Sequence, residues 1–350
     1  METPLLHEER SSGAEFAEYS GVLLPRIFAG FDGEYRAARE ACALFDTSWH
    51  ATFSLTGHDR VRYLNAVVSN DVKTLEEGRG VPALLLNPQG RILAELEIYA
   101  RAERLLLRTH AAVRERTRET LEKYIIMDDA ELTDATDETA SMGIEGPRAA
   151  EIILETSGVK LEDLPEMSVR DVKVENIACQ VVRHSGLGMP GAEWIAPRAQ
   201  IAALWKIIRG RVEAKGGRTA GMAALESLRL EAGIPFFPAD FNDTVIPHEA
   251  GVEATHISFS KGCYTGQEIV ERVRSRGHVN RRRVKLQFST REAPAFATRL
   301  TAAGQEVGMV TSAAFSPQAG VAIGMGYVRR EHGAPGSSLQ FAGGSAEVKG

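Results

Sequence analysis

Cysteine is scarce in this chain: Cys42, Cys179 and Cys263 are the three among 350 residues, and they lie far apart. An odd, scattered set builds neither a disulfide framework nor a four-cysteine metal or cluster site within one chain. Long apolar runs are missing as well. Stretches such as Ala83–Leu86 and Ile207–Ile208 fall far short of the ~20 residues that a membrane span needs. The opening Met1–Phe16 has neither a basic region nor an apolar core, so no secretory leader is expected and the chain reads as cytosolic. Charge of one sign does not dominate. Forty-one Lys and Arg against 47 Asp and Glu leave −6, which argues against whole-surface nucleic-acid binding. No repeat of solenoid period stands out.

What is present describes a globular protein, with 43% hydrophobic and 25% charged residues. Its length suits two or three domains. Arg91–Tyr99 alternates Ile92, Ala94, Leu96 and Ile98 against Leu93, Glu95, Glu97 and Tyr99, the period of a half-buried strand. Val81–Leu86 and Arg104–Arg108 read as its neighbours, with Asn87-Pro88-Gln89-Gly90 as a hairpin turn. Asp59–Val68, Ala111–Ile126, Ile201–Ile208 and Ala223–Glu231 carry helical spacing, and Gly233 and Pro235 stop the last. Beyond Gly277, short apolar pieces are punctuated by glycines, which predicts a separate all-β module of roughly 70 residues. The fold expected is α+β, an antiparallel sheet system followed by a β-barrel.

Gly186-Leu187-Gly188-Met189-Pro190-Gly191 matches G-x-G-x-x-G. Gly191–Pro197 does not look helical, and no acid stands near the ~20-residue offset of a ribose-binding residue. A glycine-rich hairpin is the better reading. The densest segment is Ser260-Lys261-Gly262-Cys263-Tyr264-Thr265-Gly266-Gln267-Glu268. A thiol is a few per cent thiolate near neutrality; Lys261, Arg272 or a helix beginning near Gly266 raises that fraction. Gly262 and Gly266 let backbone approach a ligand; the competing reading is a structural cysteine in a turn. Arg272, Arg274, Arg276, Arg281, Arg282 and Arg283, with His278, form the strongest local charge cluster. It reads either as a solvated connector or as a site for an anionic partner. Glu95, with Glu97 and Tyr99, reads from pattern as an outward carboxylate on a half-exposed face. Arg229 and Glu231 read as a surface pair.

At these residues the sequence resembles the YgfZ and glycine-cleavage T-protein superfamily, over nearly the whole chain. Lys261–Glu268 looks like the YgfZ signature K-G-C-[FY]-x-G-Q-E. Thr3-Pro4-Leu5, Gly21–Pro25, Leu44–Ser48, Gly146–Ala149, Leu228–Gly233 and Pro247–Gly251 are similar to further family segments. The resemblance implies a three-lobed, ring-like molecule of two antiparallel-sheet α/β lobes plus a C-terminal β-barrel, with tetrahydrofolate bound near its centre. It divides the chain into residues 1–278 (lobes of roughly 1–50 with 141–245, and 51–140 with 246–278) and 279–350.

Departures bear on the branch. Ala94 and Glu95 stand where T-proteins carry paired aspartates, Leu187-Gly188-Met189 where a T-G-E holds the pterin, and Trp49 and His50 where His and Met are expected. Ser275 replaces an aromatic residue usual in YgfZ proteins. This pattern favours a YgfZ-like, folate-binding protein supporting iron–sulfur enzymes and their assembly, with tRNA modification affected indirectly. In that reading Cys263 is the functional thiol and Lys261 favours its thiolate. Tyr264 and Gln267 shape the pocket with Gly262 and Gly266, and Glu268 accepts a backbone or lysine bond. Arg229, Glu95 and Met189 contact folate. A lone cysteine requires that any iron–sulfur cluster be transient and shared with a partner. The alternatives are an aminomethyltransferase using Glu95 as its acid, and a scaffold for which folate is only a ligand. A Glu95 facing away from the central cavity excludes the transferase.

Overall fold

The computed structural model describes residues 1–350, save the Arg276 side chain, which lies outside the described residues. The alternation read in Arg91–Tyr99 becomes the strand Ile92–Ala100, in which Ile92, Ala94, Leu96 and Ile98 are fully buried. It pairs with Gly80–Leu86 on one side and Leu105–His110 on the other. His50–Thr56 and Glu131–Asp134 complete a five-stranded antiparallel sheet. Helices Arg60–Val67 and Arg114–Tyr124 contribute Leu64 and Leu121 to its core, which Phe53, Leu96, Ile98 and Leu107 fill.

The second sheet has six strands, in the order Ser168–Val174, Ile177–Arg183, Gly191–Pro197, Thr139–Glu145, Ala43–Asp46 and Arg218–Thr219. Only the last pairing is parallel. Helices Ala149–Ser157 and Ile201–Ala214 bury Ile152, Ile153, Leu204, Trp205 and Ile208 against it, so the helical spacing read from Ile201 onwards is the buried stripe. Cys42 and Cys179 are buried in this lobe, and burial pushes both thiols up to about 11. The G-x-G-x-x-G segment joins two antiparallel strands as a hairpin.

Arg281–Phe288, Gln305–Ser316, Val321–Arg329 and three shorter strands close a six-stranded barrel around Leu286, Phe288, Leu300, Val310 and Val328. Two α/β sheet lobes plus this barrel realise the expected fold class. The sheets meet where Gly80 N–H donates to the Met167 carbonyl at 2.6 Å and Val169 N–H to that of Gly78 at 2.8 Å. Of the arginines that follow the thiol, Arg281 and Arg283 fasten lobe to barrel, and Arg282 bonds within the barrel. Arg281 bonds Glu249 at 3.2 Å, Arg282 the Gly333 carbonyl and Arg283 the Ala250 carbonyl at 2.8 Å. No helix is long and apolar enough to cross a membrane among the described residues.

Candidate functional site

Strand parity sets the site. On the face of the five-stranded sheet turned away from its core, Glu97 stands opposite Arg108, and His50 opposite His110. Glu145 and Glu193 come from adjacent strands of the other sheet. The helix Met222–Ala232, the loop Gly233–Phe237, the segment Gly251–His256 and Arg283 of the barrel close the space between. The result is a cavity of about 490 Å³ where the three lobes meet.

At its floor lies a charged network. Arg108 is fully buried and donates to Glu97 at 3.0 Å and to Glu193 at 2.6 Å. Burial opposes ionisation of Glu97, but Arg108, His184 and His50 outweigh it and hold the carboxyl at about 2. His184 stands 3.5 Å from Glu166 and 3.9 Å from Glu97, and against burial these acids keep it protonated well above the usual imidazole range. Burial, with His50 adding to it, pulls His110 down to about 3 and keeps it neutral.

One wall is aromatic. Phe236 meets Trp49 edge-on at 5.6 Å and His110 at 5.7 Å, with the Arg229 guanidinium 5.7 Å from its ring centre. Another wall is the glycine hairpin. Glu145 accepts from the backbone N–H groups of Gly186, Leu187 and Met189 and from the Ser185 hydroxyl at 2.7–3.3 Å. Burial raises Glu145 to about 7 in spite of those bonds.

Glu95 lines the cavity, with its side chain 32% exposed. Pattern alone aimed it at solvent; the barrel and the 222–256 region cover that face of the sheet instead. His256 Nε2 lies 2.9 Å from Glu95 Oε1, and the Thr109 hydroxyl donates to the Glu95 carbonyl at 2.6 Å. Arg229 also lines the cavity, but is no surface pair. It is 4% exposed, forks onto Glu226 at 2.6 and 2.9 Å, and bonds Asp240 at 2.7 Å and the Ile234 carbonyl at 3.1 Å. With its donors so engaged, it positions Glu226 more than it offers free charge. Its expected partner Glu231 bonds Tyr35, Arg39 and Ser316 instead.

The cysteine motif lies elsewhere. None of Lys261–Glu268 lines the cavity. Lys261 donates to the carbonyls of Asn65, Val68 and Asn70 at 2.5–2.9 Å, closing the C-terminus of the helix Arg60–Val67. Its three N–H bonds are thus taken by these carbonyls, and none of them reaches the thiol. Tyr264 is buried in the core of the five-stranded lobe, its ring 5.3 Å from the Lys261 ammonium, so it shapes that core and not the cavity. Gly266 has φ +82°, and a Cβ there would sit 2.6 Å from the Asn87 carbonyl oxygen; the glycine brings backbone against a hairpin rather than a ligand. Gln267 opens the helix Gln267–Arg276, and Glu268 in its first turn is exposed without the expected bond among the described residues. Gly262 and Cys263 are exposed. Met189 packs against the core around Leu24, Phe45 and Leu225, and its hairpin reaches the cavity through Gly186 and Leu187.

Sequence reasoning missed Arg108, His110, Glu145, Glu193 and His256. Arg108 carried a usable signal, an arginine inside the apolar strand Leu105–His110. Trp49 and His50, noted only as departures, both line the cavity.

A partly enclosed space at a lobe junction, with an aromatic wall and carboxylates on several sides, defines a small-molecule site. The sequence matches the GCVT N-terminal domain over residues 5–261 and the glycine cleavage T-protein C-terminal barrel domain over 281–348. The chain belongs to the glycine cleavage T-protein family. It is 29% identical to the aminomethyltransferase of Rubrobacter xylanophilus, covering 94% of this chain and 87% of that protein. It is 26% identical to the aminomethyltransferase of a Thermoanaerobacter species, covering 97% and 92%. The crystal structure of glycine cleavage system aminomethyltransferase T from Bartonella henselae has the same fold, at a TM-score of 0.91 and 23% identity over 100% of this chain and 97% of that one.

Proposed function

We propose that this chain binds a reduced folate in the central cavity and serves one-carbon transfer of the aminomethyltransferase type, with Glu95 as the carboxylate at the reacting centre. The observation that carries this reading is the direction of Glu95, into the cavity instead of solvent. The relatives named as aminomethyltransferases support it over nearly their full length. The donor set fits a folate. A volume of about 490 Å³ suits a fused ring with an aryl arm, and Trp49, His110 and Phe236 offer it an apolar wall. Met189 is turned away, so the ring's N–H groups fall to the carboxylate of Glu226, which the Arg229 fork holds in place. Tetrahydrofolate, when bound, supplies the nitrogen that accepts the one-carbon unit. Glu95 receives or gives the proton that this nitrogen exchanges. The test is incubation of the purified protein with tetrahydrofolate and an aminomethyl-lipoyl carrier; ammonia and methylene-tetrahydrofolate are expected together, and absence of both rejects transfer.

One observation favours a second reading. Of the three thiols, Cys263 alone is exposed, in a segment resembling the YgfZ signature. On this reading the protein supports iron–sulfur enzymes through Cys263 while folate occupies the cavity. Among the described residues no group of three or more His, Cys, Asp or Glu could hold a metal ion, so a cluster would be shared with a partner. Replacing Cys263 with Ala in a strain lacking the protein tests it: full recovery of iron–sulfur enzyme activities rejects the thiol's role.

A further inference from the structure

His256 enters no part of the family resemblance, yet it is the side chain bonded to the carboxylate oxygen of Glu95. It sits at the end of the short helix Glu253–His256 and is 9% exposed. The Ser69 hydroxyl donates to its carbonyl at 2.6 Å and so ties it to the five-stranded lobe. Its ring is held on both sides. Nδ1 faces the Val252 carbonyl at 3.2 Å and the Thr255 hydroxyl at 2.7 Å, and that hydroxyl itself donates to the Val252 carbonyl. The Val252 carbonyl can only accept, and with the hydroxyl turned to that carbonyl this geometry assigns a hydrogen to Nδ1. Nε2 lies 2.9 Å from Glu95 Oε1, a hydrogen-bond distance that requires one hydrogen between a ring nitrogen and a carboxylate oxygen.

We propose that Glu95 and His256 share one proton, and that His256 is a positioning residue that orients Glu95 and resupplies the proton Glu95 passes to the bound ligand. This inference rests on the reading that Glu95 serves the one-carbon step. The pair has two forms, imidazolium beside carboxylate and neutral imidazole beside carboxylic acid. In the second form the Oε1–H bond breaks as a bond forms to a basic nitrogen of the ligand, leaving a carboxylate. A further proton taken from solvent by Nε2 restores the shared state. No oxidant, reductant or metal enters. Nδ1–H stays in place throughout, so the ring does not turn.

Other ionisable groups nearby have other work. Glu97, two residues along the same strand, is committed to Arg108, and burial keeps His110 neutral. Arg229 and Arg283 face the cavity from the remaining walls, each with its own carboxylate or carbonyl partner. Glu253 shares the helix of His256 but is not in the cavity lining. Glu95 and His256 are thus the pair on this wall joined only to one another and to neutral groups.

The test has two arms on the full-length protein. In the first, ¹⁵N-histidine NMR compares the His256 ring nitrogens of wild type and Glu95→Gln at one fixed pH. Loss of the carboxylate is expected to shift the Nε2 resonance while Nδ1 keeps its hydrogen. In the second, His256→Asn is expected to keep tetrahydrofolate affinity within about threefold by calorimetry. It should lose on the order of 100-fold in transfer rate, the loss varying with pH. An unchanged Nε2 resonance in Glu95→Gln overturns the pairing. Wild-type turnover with an unaltered pH profile in His256→Asn overturns the relay. A shifted Nε2 resonance in a protein that performs no transfer upholds the shared proton and rejects the transferase reading instead, so the two failures are told apart.

Discussion

Arg108 of the five-stranded sheet and Glu193 of the six-stranded sheet are bonded at 2.6 Å across the boundary between their lobes, the arginine fully buried and the glutamate nearly so. Glu97 completes the fork at 3.0 Å from the arginine's own sheet. The cavity floor and the lobe junction are therefore one ionic network. Arg108→Met takes from Glu193 its bonded cation and leaves Glu97 only the neighbouring histidines, and is expected to cost about 3–5 kcal/mol by urea unfolding. Glu97→Gln combined with Arg108→Met should cost less than the two separate losses added together, because the Glu97 carboxylate stranded by the arginine's removal is then neutral.

Glu145 gives a pH dependence of the opposite sense to a paired carboxylate. Burial raises its folded-state value from 4.5 to about 7. The unfolded chain releases this proton first, so between about pH 4.5 and 7 the unfolded state binds fewer protons, and stability falls as pH rises. Glu145→Gln keeps an oxygen for the hairpin N–H groups and removes the titration. Melting temperatures measured from pH 4.5 to 7.5 should show a steeper decline in wild type than in the variant. Parallel curves would assign the decline to other groups.

The thiols differ by place. Cys263 is exposed, while Cys42 and Cys179 are buried with their thiols pushed up to about 11. A thiol reagent at pH 7.5 should modify one equivalent quickly in the native protein and all three only on unfolding. Cys263→Ser should abolish the fast phase alone.

Lys261 makes a prediction that separates structure from thiol chemistry. Its ammonium bonds three carbonyls around the end of the helix Arg60–Val67. Lys261→Met strands those acceptors and should destabilise the protein by about 1–3 kcal/mol. The reaction rate of Cys263 at pH 7.5 should change less than about twofold, since no bond of Lys261 reaches the thiol. A much slower thiol would restore the lysine to a direct role.

Much of the fold was legible because its signals are local. The alternation in Arg91–Tyr99, the turn Asn87–Gly90 and the glycine-punctuated strands after Gly277 each belong to one segment, and each folds as it reads. The site was less legible because its residues meet only in three dimensions. Glu95 has the pattern of an outward carboxylate, and it becomes a cavity residue only because chain more than a hundred residues later covers its face. His256 is an ordinary letter in Ala254-Thr255-His256-Ile257 until the helix end brings it to Glu95. The cysteine motif shows the converse. Its residues are the densest in the sequence, yet Lys261, Tyr264 and Gly266 are accounted for by a helix end, a core and a tight loop contact.

Whether Glu95 acts on a folate held in the cavity is decided by paired measurements on wild type and Glu95→Gln. Tetrahydrofolate binding by calorimetry should survive the substitution within about threefold, because the apolar wall and Glu226 remain. Methylene-tetrahydrofolate formation from an aminomethyl-lipoyl carrier should fall on the order of 100-fold or more. Equal turnover in the two proteins, or no tetrahydrofolate binding by either, would rule out that role for Glu95.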